Sequence, residues 1–251
     1  MAKKKLGNFY TDEIYCGNSL ELMKEIPNET IDLIVTDPPF AINFKAKKNN
    51  YNRKQDNVLE GYNEIPQEKY YEFTFNWITE CFRIIKESGS MYVVSGWTNL
   101  KDILNALDEI GFLTVNHLIW KYQFGVFTKR KYVTSHYHIL FVVKNKKKYK
   151  FNKIEHYPED VWIIKRKYWT GKIKTPTKLP VKLVKKIILF SSDKKDIIFD
   201  PFIGSGTVAV TAKTLGRSYL GFEIVKDYYD FAKRRVSNVQ MSLINWVNDK
   251  S

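Results

Sequence analysis

Residues 36–40, TDPPF, follow the apolar run IDLIV and close it with two consecutive prolines. Proline lacks an N–H, fixes its own φ and pushes the preceding residue out of the helical region. The pair therefore stops a strand and turns the carbonyls of Asp37 and Pro38 outward. This sets a carboxylate, Asp37, beside a rigid carbonyl acceptor, with the face of Phe40 near by. Two acceptors and a stacking ring suit a flat heterocycle that bears an amino group. Read alone, the same residues also make a Pro-Pro loop stop in which Asp37 is a cap.

A second stretch able to do chemistry is DPFIGSGTVAVTAKTLG, residues 200–216. It follows the apolar strand pattern DIIFD and opens a helix, the context in which a Gly-rich turn receives a nucleotide-like cofactor. Gly204 and Gly206 allow close backbone approach to a ligand. The spacing is neither GxGxxG nor GxxxxGK[ST], which argues against a dinucleotide fold and a P-loop. After one helix, the pattern SYLGFE ends on Glu223, placed to accept hydrogen bonds from the two hydroxyls of a ribose. Taken singly, each piece is also explained by a plain strand-to-helix turn and a helix cap.

Apolar runs alternating with amphipathic stretches position these motifs, the pattern of an α/β fold with a parallel sheet covered by helices. Strands are expected at 13–18, 31–37, 90–96, 112–120, 137–143, 196–200 and 218–224. Helices are expected at 19–26, 67–87, 98–110, 180–192, 206–216 and 226–238. Residues 41–65 and 144–178 fit neither period and read as insertions or loops. The chain is therefore expected to be one domain over residues 1–251, with a loop insertion at 41–65.

The 251 residues carry 41 Lys plus Arg against 27 Asp plus Glu, a formal charge of +14, and 44% are hydrophobic. That composition excludes a disordered polycation and points to a folded protein with an anionic partner. Three stretches hold basic residues and no acidic ones: 41–55 with five, 121–153 with ten and 165–178 with six, about half of all the Lys and Arg. Such clustering, interleaved with aromatics, suits phosphate neutralisation on nucleic acid. No apolar run is long enough to span a bilayer, so no membrane partner is expected. Cys16 and Cys81 make neither a disulfide framework nor a zinc site, which suits a reducing, cytoplasmic setting.

DPFIGSGT together with TDPPF resembles the S-adenosylmethionine-dependent DNA amino-methyltransferases, whose signatures are FxGxG and [DNS]PP[YFW]. The Pro-Pro motif precedes the Gly-rich one, an order similar to that of the β class. GNSLELMKEIPNETIDLIVTDPPF resembles the family's opening block, and KTPTKLPVKLVKKII, residues 174–188, its HPTQKP-type segment. The resemblance runs from about Ile14 to Val236. It implies a Rossmann-like S-adenosylmethionine methyltransferase fold: a seven-stranded, mostly parallel sheet with helices on both faces and circularly permuted motif order.

Carried over by motif, the resemblance makes Asp37, Pro38, Pro39 and Phe40 the catalytic set. Phe202, Gly204, Ser205, Gly206 and Thr207 fall on the methionine and ribose side of the S-adenosylmethionine site, and Glu223 on its ribose hydroxyls. Thr177 and Lys178 approach the cofactor's carboxylate, and Asp200 helps place its amine. Asn18 stands where the family has an acid in GD[SC], so it meets the adenine amino group only through its amide oxygen. The 174–180 block also departs, with Lys174 and Thr175 in place of His.

The exocyclic nitrogen of adenine or cytosine is a poor nucleophile, because its lone pair is delocalised into the ring. Asp37 and the Pro38 carbonyl, each holding one hydrogen, would favour a pyramidal nitrogen and direct methyl transfer. The base must leave the duplex to reach them and would stack on Phe40. Neither a metal nor a cysteine is required, and the Pro-Cys nucleophile of C5-cytosine enzymes is missing. Asp at the motif's first position favours adenine N6 over cytosine N4. An RNA or protein amide methyltransferase and an inactive DNA-binding paralogue are further alternatives. Residues 121–178 are expected to be the target-recognition region on double-stranded DNA, with Lys129, Arg130, Lys131, Lys165, Arg166 and Lys167 reaching phosphates and base edges. His136 and His138, alternating on one strand, read as a structural pair near the DNA. A cognate restriction endonuclease and a homodimer complete the expected partners.

Overall fold

The computed structural model describes residues 3–41, 65–123, 125, 127–166 and 178–239. The apolar runs that organise it are β4 (Ile31–Thr36), β9 (Ile197–Asp200) and β10 (Ser218–Glu223), buried along their whole length. Burial on both faces is the mark of a sheet sandwiched between helices. They pair in parallel with β3 (Glu13–Cys16) and β5 (Ile85–Ser95). The sheet continues through β7 (His136–Val143), antiparallel to β5, then β6 (Leu113–Lys121) and β8 (Val161–Ile163). Its order is β3-β10-β9-β4-β5-β7-β6-β8.

The parallel core, the helices on both faces and the permuted order follow the sequence expectation. The strand number is corrected: among the described residues the sheet has eight strands, not seven. The additional β8 lies in the 144–178 stretch read as loop. Only three residues long, with Val161 and Ile163 exposed, it has too short a period to register in the sequence. A small antiparallel hairpin, β1 (Lys5–Leu6) with β2 (Phe9–Tyr10), also escaped the pattern. Of the 41–65 insertion, residues 42–64 lie outside the described residues.

Helices α1 (Ser19–Met23), α2 (Tyr70–Ile84) and α3 (Leu100–Ile110) cover one face. There Met23, Trp77, Ile78 and Ile103 pack with Ile34, Met91 and Phe199. The opposite face carries α4 (Val181–Ser191), α5 (Thr207–Thr214) and α6 (Lys226–Ser237). Leu183, Ile187, Val208 and Ala232 meet Leu33, Val35 and Ile198 on that side. From β4 the chain crosses over α2 to β5, and from β9 it crosses over α5 to β10, in the opposite direction. Right-handed crossovers running in opposite directions must lie on opposite faces, so a topological switch point opens between β4 and β9.

Asp32, buried at the start of β4, locks that junction. Its Oδ2 accepts the Ile197 N–H at 2.9 Å and its Oδ1 accepts from Lys86 Nζ at 2.6 Å. Asp32→Ala leaves a buried N–H unpaired, so urea unfolding should show a loss of about 1–3 kcal/mol. Unchanged stability would mean the β4–β9 junction does not depend on it.

Candidate functional site

All four strands that flank the switch point end on residues singled out by the sequence. β3 runs into Gly17 and Asn18, β4 into Asp37, β9 ends at Asp200 and β10 at Glu223. Ligands of doubly wound sheets bind at this carboxyl edge. Here it holds a pocket of about 340 Å³, lined by Asn18, Asp37, Pro38, Pro39, Lys178, Asp200, Phe202, Gly204, Ser205, Thr207 and Glu223. The structure thus gathers most of the expected site residues. Phe40 and Gly206 are not in that wall, and Thr177 lies outside the described residues.

The Gly-rich turn is held from three sides. Asp200 Oδ1 accepts the Phe202 N–H at 3.0 Å, and Glu223 Oε2 accepts the Gly204 N–H at 2.9 Å. From α6, Arg235 donates to the Ser205 carbonyl and, at 3.1 Å, to Ser205 Oγ. Gly206 adopts φ +78° at the start of α5, and a Cβ there would come within 3.2 Å of the Ala232 Cα. Glycine is thus required twice over, by the left-handed conformation and by the close approach of α6. Ile203, held by Phe222 O, and the Phe202 ring, against Phe73 and Trp77, complete the seat.

Glu223 also accepts the Val225 N–H at 2.8 Å, so it ties the approach to α6 to the Gly-rich turn without capping the helix. Each of its oxygens retains a lone pair for a ligand hydroxyl. Asn18 uses its amide oxygen to cap α1, accepting the Leu20 N–H at 3.0 Å. Ser19 holds the adjoining loop through the Pro201 carbonyl.

Three carboxyls share this largely apolar crevice, and burial raises them all. Asp37 is pushed up to about 7, with the Arg166 guanidinium pulling it down. Burial lifts Asp200 to about 8 against the Phe202 N–H, with the Asp37 and Glu223 charges adding to the rise. Glu223 is raised too, its backbone donors opposing the change. Carboxyls held in so apolar a setting fit a ligand that brings positive charge.

On the far side of Asp37 lies an aromatic cluster. Phe40 stands near-parallel to Tyr137 at 6.4 Å, Tyr137 is stacked on Trp120 at 5.5 Å, and Tyr122 lies 5.7 Å from Tyr137. Trp97 at the end of β5 is exposed, whereas Trp120 and Tyr122 are buried. Because β6 runs parallel to β8 and, through β7, to β5, the β6–β7 connection leaves from the same carboxyl edge. It presents Lys129, Arg130 and Lys131 to solvent between exposed Phe127 and Tyr132. Lys165 is exposed beside it, Arg166 turns onto the aromatic cluster, and Lys167 lies outside the described residues. His136 and His138 stand on β7 with His117 beside them, its Nε2 2.8 Å from His138 Nδ1. No metal-binding group of His, Cys, Asp or Glu occurs among the described residues.

Sequence reasoning missed Tyr137, Tyr228 and Arg235. Tyr228, buried with its hydroxyl unpartnered among the described residues, lines the crevice. Arg235 reads in sequence as an ordinary basic residue in the last turn of a helix, and only the approach of α6 to the Gly-rich turn reveals its role.

This architecture is the S-adenosylmethionine-dependent methyltransferase fold. It is shared with the crystal structure of the M1.HpyAVI–SAM complex at 26% identity and a TM-score of 0.67, over 90% of this chain and 99% of that one. Residues 31–234 match the family model described as DNA methylase, and the chain belongs to that family, the DNA N6/N4 amino-methyltransferases of restriction-modification type. Similar proteins include the type II methyltransferase M.HpaI of Haemophilus parainfluenzae, 31% identical over 90% of this chain and 74% of that protein. Another is the DNA adenine methyltransferase YhdJ of Escherichia coli strain K12, 30% identical over 88% of this chain and 81% of its own length.

The raised carboxyls carry a stability signature. A buried acid that keeps its proton in the folded chain binds more protons than it does when unfolded, so its contribution worsens as pH rises from about 4 towards 8. Asp200→Asn cannot ionise and still accepts the Phe202 N–H. Thermal melting should therefore fall less between pH 5 and pH 8 in this variant than in the wild type. Parallel melting curves would contradict the raised Asp200 acidity.

Proposed function

We propose that the chain methylates the exocyclic N6 of an adenine flipped out of double-stranded DNA, within a restriction-modification pair that includes a cognate endonuclease. The observation that carries this reading is the place of Asp37: it lines the cofactor crevice while Phe40, three residues on, faces the aromatic cluster outside it. The TDPPF turn thus reaches two compartments, which suits one substrate in each.

S-adenosylmethionine, when bound, supplies a methyl group on a positively charged sulfur. Asp200 would hold its amine and Glu223 its ribose hydroxyls, Phe202, Gly204, Ser205, Gly206 and Thr207 would line its path, and Asn18, Thr177 and Lys178 would close the ends. The three carboxyls suit the two positive groups of that ligand, its sulfonium and its ammonium. Asp37 and the Pro38 carbonyl would take the two amino hydrogens, with Pro39 fixing the turn and Phe40 stacking on the base. Once the nitrogen gains its methyl it carries a surplus proton, which the Asp37 carboxylate is placed to accept.

Adenine is favoured by Asp at the head of DPPF and by the similarity to YhdJ, a DNA adenine methyltransferase; cytosine N4 is the second reading, since the family covers both. Residues 121–178 form the target-recognition region in this proposal, and Lys129, Arg130, Lys131, Lys165, Arg166 and Lys167 its basic surface. Two strands, β7 and β8, run through that region, so loops carried by the sheet edge make the contacts. A cytoplasmic setting and a homodimer belong to the same proposal. No helix among the described residues is long and apolar enough to cross a membrane.

Incubation with labelled S-adenosylmethionine and duplex DNA, followed by digestion to nucleosides, should place the label in N6-methyladenine. Label in N4-methylcytosine would move the assignment to the second reading. Asp37→Ala should still bind cofactor yet, at saturating cofactor, lose at least ~10²-fold in single-turnover transfer; near-normal transfer would remove Asp37 from the mechanism. DNA affinity should fall steeply with salt. Replacing Lys129, Arg130 and Lys131 together by Ala should flatten the log–log slope by about 0.9 for each phosphate no longer neutralised. An unchanged slope would place the DNA elsewhere.

A further inference from the structure

Tyr228, Ala232 and Arg235 fall on one face of α6, the face that meets the Gly-rich turn. Tyr228 lines the crevice and Ala232 stands against Gly206, whereas Arg235 is not in the crevice wall and reaches the turn from outside it. A single terminal nitrogen of Arg235, Nη1, meets three oxygens there: the Ser205 carbonyl, Ser205 Oγ at 3.1 Å and Thr207 Oγ1 at 3.4 Å. Ser205 and Thr207 are buried and belong to the crevice wall. The turn therefore has a cation on one side and a ligand site on the other, with two hydroxyls between them.

Arginine has donors and no acceptor, so at both contacts the hydroxyl oxygen accepts and its own hydrogen must point elsewhere. The two oxygens are 3.5 Å apart, near enough for one hydroxyl to donate weakly to the other, which uses one hydrogen at most. Among the described residues neither hydroxyl has a carbonyl or carboxylate to donate to. At least one hydroxyl hydrogen is left for the crevice, and accepting from a cation makes it a stronger donor. The amino-acid end of S-adenosylmethionine carries the matching acceptor, a carboxylate next to its ammonium. Asp37, Asp200 and Glu223 suit the positive groups of that ligand and repel its carboxylate, which needs donors of its own. The turn opens on Asp200 and closes on Ser205 and Thr207, so one short segment offers an acceptor for the ammonium and donors for the carboxylate.

We propose that Arg235 is a positioning residue of the S-adenosylmethionine site: its guanidinium, donating to Ser205 Oγ and Thr207 Oγ1 from outside the crevice, commits these hydroxyls to donate inward to the cofactor's carboxylate. Arg235 acts through the two hydroxyls and not by contact with the cofactor. The assignment rests on the cofactor seat proposed above and adds the group that fixes the direction of its donors. An arginine that only braced the Ser205 carbonyl would keep the turn in shape without distinguishing a ligand that has a carboxylate from one that lacks it.

Calorimetric titration of the full chain without DNA separates these two roles. S-adenosylmethionine is compared with its decarboxylated form, which keeps the adenine, ribose, sulfonium and amine and lacks only the carboxylate. The wild type should bind S-adenosylmethionine more tightly, by about tenfold or more. Arg235→Met should weaken S-adenosylmethionine about tenfold while holding the decarboxylated ligand within about twofold, and Arg235→Lys should restore part of the preference. In a chain carrying both Ser205→Ala and Thr207→Val the preference should be gone, and adding Arg235→Met should then remove nothing more. Equal weakening of both ligands in Arg235→Met makes the residue a brace and overturns the proposal. So does a wild type that binds both ligands alike, or a preference that survives the loss of both hydroxyls. The hydroxyl pair decides the matter even where Arg235→Met does not fold. A wild type that binds neither ligand would instead overturn the cofactor seat, an outcome distinct from all of these.

Discussion

The parallel pairing of β4 with β9 is the constraint on which the rest of the molecule depends. Leu33 stands opposite Ile198 and Ile34 opposite Phe199, so the two strands finish together at the carboxyl edge. The chain leaves them in opposite directions, and no crossover can cover the gap between their ends. Asp37 and Asp200 therefore face one crevice although the sequence separates them widely. The helices on either face keep both strands dry, and the same dryness sets the acidity of the carboxyls at their tips.

That crevice is electrostatically unfinished. Asp200 and Glu223 are buried and Asp37 partly so, and backbone donors answer only part of their demand. Apolar walls make each charge harder to leave unpaired and more responsive to any cation that arrives. The arrangement favours a ligand that brings its own positive charge, and it explains why the cofactor side of the fold is acidic within a chain of net charge +14. Basic residues gather instead at the neighbouring sheet edge, beyond the aromatic cluster. Opposite demands are met along one edge of the sheet because strand ends, and not the overall charge, decide what each loop faces.

Much of this is legible in the residues. Long apolar runs such as IDLIVT and SYLGFE declare buried parallel strands, and a Pro-Pro stop or a Gly-rich turn at their ends declares a site. Glu223 reads in sequence as either a ribose acceptor or a cap, and its geometry makes it a brace between the Gly-rich turn and the loop before α6, with lone pairs to spare. What escapes is whatever has no period or depends on distant packing. β8 is three residues long, Arg235 acts across an interhelix contact, and Tyr137 matters because β7 lies next to β5. Arg166 shows the limit most plainly: within KRK it looks like one more phosphate contact, and only the rings beneath it distinguish it.

The pairing of β3 with β10 ties residues 13–16 to residues 220–223. Such a sequence separation places much of the sheet's loop-closure cost on a single edge. During synthesis β3 leaves the ribosome long before β10, which follows it only after almost every other described element. Strands β4, β5, β6 and β7 can associate first, so the aromatic cluster and the Pro-Pro loop precede the cofactor crevice in assembly. Until β10 arrives, β3 is an unpaired edge, and its shortness, four residues with Cys16 exposed, limits the template it offers to other chains.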